Sequence, residues 1–214
     1  QKRIVFADGE DQNTLKAAIA FKKSGLGIPI LVAKEKVVKE RLKEIGYSEN
    51  FDIEIVNSES KEKREKYSKY IFKKLHRDKG ELEPDVYELY LRDCDKTIRN
   101  DSVVWGSCMV SCGDADAMVT GNTRRYGQSL DKVLKVVDSR PGEIMFGLNM
   151  VVNKGRTVFI GDTSVHEYPT SAQMAEIAIS AARVVRLFGF NPKVAFLSHS
   201  TFGQPITSRT KHIR

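Results

Sequence analysis

Apolar residues in the first half of the chain fall in short, nearly continuous blocks, separated by longer stretches where they recur every three or four positions. Residues 3–7 read as a strand, and Asp11 or Asn13 caps a helix reaching Lys23. Gly25 then stands where a helix end favours a left-handed residue. Residues 28–32 form a second apolar run, residues 37–45 an amphipathic helix closed by Gly46, and residues 51–56 a third strand rich in Ile and Val. Residues 58–79 predict a long charged helix with Tyr67, Tyr70, Ile71 and Leu75 on one face. Pro84 suits the first turn of another helix, and Ser102 the N-cap of one carrying Val103, Val104, Trp105, Met109 and Val110. A strand within residues 113–121 and a helix from about Ser129 to Val137 follow. Strands and helices in alternation predict an α/β fold with a parallel sheet and crossover helices.

The texture changes at Ser139-Arg140-Pro141-Gly142. Residues 146–152 and 157–160 are strand-like and flank the hairpin-type turn Asn153-Lys154-Gly155-Arg156. A strong helix is expected over residues 171–187, ended by Gly189, and a buried strand over residues 193–197. The expected organisation is two parallel-sheet α/β subdomains, residues 1–140 and 141–214. The second is expected to be incomplete, because the segment after Pro205 carries little apolar material.

Composition narrows the class. The chain has 214 residues, 41% hydrophobic and 29% charged, an ordinary globular mixture. No apolar run approaches the roughly 20 residues of a membrane span. With no charged-then-apolar leader, a cytoplasmic location is expected. The first residue is Gln1, so a segment of something longer is expected. The formal charge of +7 comes largely from lysines that alternate with glutamates, as in Lys61-Glu62-Lys63-Arg64-Glu65-Lys66. That pattern marks solvated helix faces; the excess favours anionic small molecules, with neither nucleic acid nor membrane as partner. Cys94, Cys108 and Cys112 are odd in number, against a disulfide framework. Cys108 and Cys112 share a helix face and read as buried thiols rather than metal ligands, so no metal is expected.

Two loops carry candidate chemistry. Thr120, Asn122, Thr123, Arg124 and Arg125 lie at and after the Thr120-Gly121 stop of a strand and offer donors to phosphate or carboxylate; the planar fork of arginine matches an oxyanion pair. Ser198, Ser200 and Thr201 follow the last expected strand and form a second possible cradle. The plain alternative for each is an ordinary turn after a strand. Asp114 and Asp116 read as capping groups ahead of an acid/base pair, and His166 and His199 as polar loop residues. The run Asp162-Thr163-Ser164-Val165-His166 supplies no triad by itself. The turn Asp8-Gly9-Glu10-Asp11 reads as a helix cap that could also border a ligand cleft.

Several pieces occur in a fixed order: Arg3-Ile4-Val5-Phe6-Ala7-Asp8-Gly9-Glu10-Asp11, the stretch from Gly113 to Gly121, Pro141-Gly142, Phe159-Ile160-Gly161-Asp162-Thr163, Ala175-Glu176-Ile177-Ala178, and Phe188-Gly189-Phe190-Asn191-Pro192 running on to Ser200. Together they resemble the phosphate acetyltransferase family across essentially the whole chain. Thr120-Gly121-Asn122 and Leu197-Ser198-His199-Ser200-Thr201-Phe202-Gly203 resemble most the phosphotransacetylase-like domain at the carboxy-terminal end of large bacterial NADP-dependent malic enzymes.

The resemblance implies two α/β domains with a coenzyme A cleft between them, the first domain being completed by later chain. It also exposes departures. Active members carry a Thr-Thr-Ala-Asp-Thr-Leu-Arg-Pro run after the glycine equivalent to Gly121. Here Asp131 stands where that family has an anion-binding arginine, and Phe202 stands where it has a cation. The family's late Ser-Arg and Asp catalytic segment would lie beyond Arg214. These three deficits imply a non-catalytic regulatory and oligomerisation domain of an NADP-dependent malic enzyme, which converts malate to pyruvate and CO2. The domain would sense acetyl-CoA or an acyl phosphate within a homo-oligomer. Implied ligand contacts are Thr120, Asn122, Arg124, Arg125, Ser198, Ser200, Thr201 and Arg99. NADP and a divalent metal would belong only to an upstream malic enzyme region. Two alternatives stay open: a working phosphate acetyltransferase, and a purely structural dimerisation module.

Overall fold

In the computed structural model, residues 1–47, 52–58, 60–80, 82–197, 204 and 207 are described. The chain forms two compact units, Gln1–Asp138 and Ser139–Arg214. The division lies two residues before the expected one between residues 140 and 141.

The first unit is built on β1 (Arg3–Phe6), β2 (Ile28–Val32), β3 (Glu54–Val56) and β4 (Ala117–Val119). All pairings are parallel, in the order β3-β2-β1-β4. Parallel strands need crossovers, and helices supply them: α1 (Gln12–Lys23) and α2 (Glu35–Glu44) between β1, β2 and β3, then α3 (Lys61–Leu75), α4 (Pro84–Asn100) and α5 (Ser102–Ser111) before β4. The inner strands β1 and β2 are apolar at successive positions because both of their faces are covered, whereas Ala117 and Val119 of β4 are exposed. Val5, Ile30, Val32 and Val56 enter one core with Tyr67, Ile71, Ile98, Trp105 and Met109. Phe6 and Leu31 enter the other with Leu15, Ile19, Val38 and Leu42. The fully buried Trp105 meets the ring of Tyr67 edge-on, centroids 5.0 Å apart.

Local signals placed most boundaries. Asp11 caps α1 through the N–H groups of Asn13 and Thr14, and Gly25 and Gly46 both take positive φ. Ser102 is not a cap. Its neighbour Asp101 has the extended backbone an N-cap needs, and its carboxylate accepts from Val103 and Val104. A full negative charge suits the positive end of a helix better than a hydroxyl. The next helix, α6 (Tyr126–Leu134), begins three residues earlier than expected, directly after the extended Arg125.

In the second unit, β5 (Leu148–Asn153) and β6 (Arg156–Gly161) pair antiparallel, contrary to the parallel sheet expected there. Lys154 and Gly155, both at positive φ, make the tight turn between them, and a two-residue connection can join only antiparallel strands. Helix α7 (Ser171–Leu187) spans the expected residues, opened by a reciprocal Thr170–Gln173 capping box. Residues 193–197 form no strand; they are exposed and pair with neither β5 nor β6. No helix among the described residues is long and apolar enough to cross a membrane.

Candidate functional site

The chain leaves β1 in one direction, through β2 to β3, then returns on the other side of β1 as β4. Ligands of open α/β sheets bind at this kind of reversal, outside the carboxyl ends of the strands. Ala7 N–H donates to Val119 O at 3.0 Å, so the loops leaving β1 and β4 start side by side. One supplies Asp8, the other the Thr120–Arg125 donors.

These donors converge on the protein's own carboxylates. Asp8, only 6% exposed, accepts at Oδ2 from Gly121 N (3.0 Å), Asn122 N (3.3 Å) and Thr120 Oγ1 (3.3 Å), and at Oδ1 from Thr123 Oγ1. Gly121 takes φ +108°, a conformation open to glycine, and so lets two successive N–H groups close on one oxygen. The Asn122 amide donates to Asp11 Oδ1 and, at 3.3 Å, to Thr14 Oγ1, tying the loop to the cap of α1.

Arg124 Nη1 donates to Asp101 Oδ2 at 2.8 Å, and Lys132 Nζ stands 3.5 Å from the same oxygen. Burial of Asp101 pushes its pKa up, but the Arg124 guanidinium, the Val104 N–H and Lys132 outweigh this and hold the carboxyl below its ordinary value. Arg125 is exposed and has no side-chain partner among the described residues. Arg99, in the last turn of α4, is also exposed without a side-chain partner there. Asp131 lies on α6 with an exposed side chain. Thr120 further lines a cavity of about 490 Å³ with Ser107, Val110, Met118, Val119, Val133 and Val137. Ser198, Ser200 and Thr201 lie outside the described residues.

The other titratable groups are tethers. Asp116 accepts from Arg3 N and Lys2 Nζ, and Asp114 from Lys66 Nζ and the Tyr67 hydroxyl. Cys94, Cys108 and Cys112 are free thiols, and burial pushes all three up. No three His, Cys, Asp or Glu side chains cluster for a metal among the described residues. In the second unit, Asp162 gathers four N–H groups and the His166 ring around one carboxylate. Spacing alone hid this pairing and those of Asp8 and Asp101. Only an acid directly ahead of a helix start hinted at Asp101.

The whole chain, residues 1–214, matches the family described as Phosphate acetyl/butaryl transferase. The chain belongs to that family. It is 37% identical over all its 214 residues to an NADP-dependent malic enzyme of Rhizobium meliloti, of which it covers 27%. It is 32% identical to a phosphate acetyltransferase of Clostridium acetobutylicum, with 95% of this chain and 60% of that protein covered. The crystal structure of a phosphotransacetylase from Streptococcus pyogenes superposes with a TM-score of 0.81 at 26% identity, covering 97% of this chain and 60% of that one. The chain is thus a phosphotransacetylase-like domain related to part of a malic enzyme, and it spans about a quarter of the length of that relative.

Proposed function

We propose that this is a non-catalytic regulatory and oligomerisation domain of an NADP-dependent malic enzyme, one that binds acetyl-CoA or an acyl phosphate. The observation that carries the reading is the fate of the loop after β4. Thr120, Gly121, Asn122 and Thr123 close on Asp8 and Asp11, and Arg124 is neutralised by Asp101. Acyl transfer needs donors aimed at charge that develops in the substrate. Donors already spent on internal carboxylates hold a loop in shape instead, leaving Arg125 as its uncommitted cation. Asp131, in place of the arginine expected from active members, adds a negative charge on the adjoining helix. Identity along the full chain to a malic enzyme supplies the context. NADP, the divalent metal and malate chemistry are assigned to the remainder of such an enzyme, in the cytoplasm.

Calorimetry of the full chain with acetyl-CoA and with acetyl phosphate tests the ligand, and light scattering tests assembly. Saturable binding without phosphate-dependent thiol release is the expected result. Turnover would establish the transferase alternative. A stable oligomer indifferent to both ligands would leave the structural module.

A further inference from the structure

The second unit holds one group that the reading above does not use. The turn of residues 162–166 winds around the Asp162 carboxylate, whose side chain is 3% exposed. Oδ1 accepts from the N–H groups of Gly147 (2.9 Å), Ser164 (3.2 Å) and Val165 (3.1 Å); Oδ2 accepts from His166 N (3.0 Å). The His166 ring completes the set, Nδ1 to Oδ2 at 2.7 Å. The buried charge is therefore compensated on both oxygens. With Nδ1 committed, the second ring nitrogen, Nε2, is the one left to interact. The His166 side chain is 21% exposed, and Nε2 is neither hydrogen-bonded nor buried among the described residues. This is the arrangement by which a carboxylate fixes the orientation and tautomer of an imidazole that works through its far side.

Two hydroxyls share the turn. Thr163 Oγ1 accepts from Asn149 Nδ2 at 2.8 Å and lies 3.2 Å from Ser164 Oγ. A lone pair of Thr163 is thus occupied, which leaves its O–H to donate, and the two hydroxyls can pass only one proton between them. At least one O–H remains free to face outward. With Nδ1–H held by Asp162, Nε2 of the neutral ring accepts from a protonated phosphate oxygen, and Nε2 of the imidazolium donates to an ionised one. Thr163 and Ser164 are exposed, and among the described residues no other carboxylate is bonded to any of the three side chains.

We infer that Thr163, Ser164 and His166 form an oxyanion site for a phosphate group, with Asp162 as its positioning residue. The inference deepens the proposed ligand reading and rests on it for the ligand's identity: the phosphate belongs either to an acyl phosphate or to coenzyme A.

The test follows the His166 ring nitrogens by long-range 1H–15N NMR in the full chain, assigned by loss of the signals in His166→Gln. Inorganic phosphate, acetyl phosphate and coenzyme A are titrated separately. Saturable movement of Nε2, with Nδ1 still hydrogen-bonded, is expected. The same movement should be weakened about tenfold in Thr163→Val/Ser164→Ala. A response to acetyl phosphate at lower concentration than to coenzyme A assigns the acyl phosphate as source; the reverse order assigns coenzyme A. A wild-type ring indifferent to all three overturns the site without recourse to any variant. Acetyl-CoA binding by calorimetry with a silent His166 would sink this inference alone. A responsive His166 without acetyl-CoA or acetyl phosphate binding by calorimetry would sink the broader reading alone.

Discussion

Replacing Asp8 separates a loop shaped by an internal carboxylate from a loop held open for a ligand. Its carboxylate receives two backbone N–H groups, from Gly121 and Asn122, and two hydroxyls, from Thr120 and Thr123. Hydroxyls can turn to other acceptors, but the backbone donors are fixed by the chain. Asp8 is 6% exposed although Gly121 and Asn122 are exposed residues; in Asp8→Ala both N–H groups lose their acceptor, and at about 1–3 kcal/mol for each such loss about 3 kcal/mol is expected. Asp8→Asn keeps an amide oxygen at the Oδ2 position, and the Thr123 hydroxyl can accept from the amide nitrogen. The remaining loss is the charge assistance, about 1 kcal/mol. Urea titration followed by Trp105, the single tryptophan and fully buried in the same unit, reads the difference directly. At a slope of about 2 kcal/mol per molar urea, the alanine midpoint falls by about 1.5 M and the asparagine midpoint by about 0.5 M. Formate, which can stand in for the missing carboxylate, should recover part of the alanine loss and none of the wild type's. Equal midpoints for alanine, asparagine and wild type would refute the reasoning, because the loop donors would then not depend on Asp8.

Gly9→Ala places a Cβ 2.8 Å from Val32 O and 3.1 Å from Val32 N, backbone atoms of β2 that cannot swing aside. Destabilisation of about 1–3 kcal/mol by the same urea assay is expected, and an unchanged midpoint would contradict that packing. Arg124→Ala should lower stability by about 1 kcal/mol through loss of its partly buried pair with Asp101, leaving acetyl-CoA affinity near wild type. Arg125→Ala should do the reverse in calorimetry and melting. On the acid side, the Asp162 carboxyl is driven up by burial but, through the His166 ring and its N–H donors, is held down at about 2. A depressed carboxylate stabilises the fold fully above its ordinary value of 3.8 and loses that contribution as pH falls toward 2, worth about 2 kcal/mol in all. Circular dichroism melts from pH 5 to pH 2.5 should show this loss, and Asp162→Asn should flatten it.

Much of the architecture was legible in the residues themselves. Continuous apolar runs such as Ile30-Leu31-Val32 announce strands buried on both faces, and the helix between Asp11 and Gly25 is bracketed by its own cap and stop signals. The hairpin turn at Lys154-Gly155 was legible too, though its consequence, an antiparallel pair, was at odds with the parallel sheet expected for that unit. These features are local: they depend on side-chain period, backbone preference and the few residues around them. The ordered motifs likewise placed the chain in its family.

Which charges meet was decided only by folding. The donors around Thr120 and Arg124 stand out in the sequence as an anion-binding loop. Nothing in their spacing says that Asp8, 112 residues away, would receive Thr120, or that Asp101 would take Arg124. Those meetings depend on β4 returning to pair beside β1, a sheet order set by packing on both faces and not by any short stretch of chain. Side-chain identity therefore determined the elements and the stock of donors. Tertiary structure determined which donors are spent internally and which, as at Arg125, are left without a side-chain partner among the described residues.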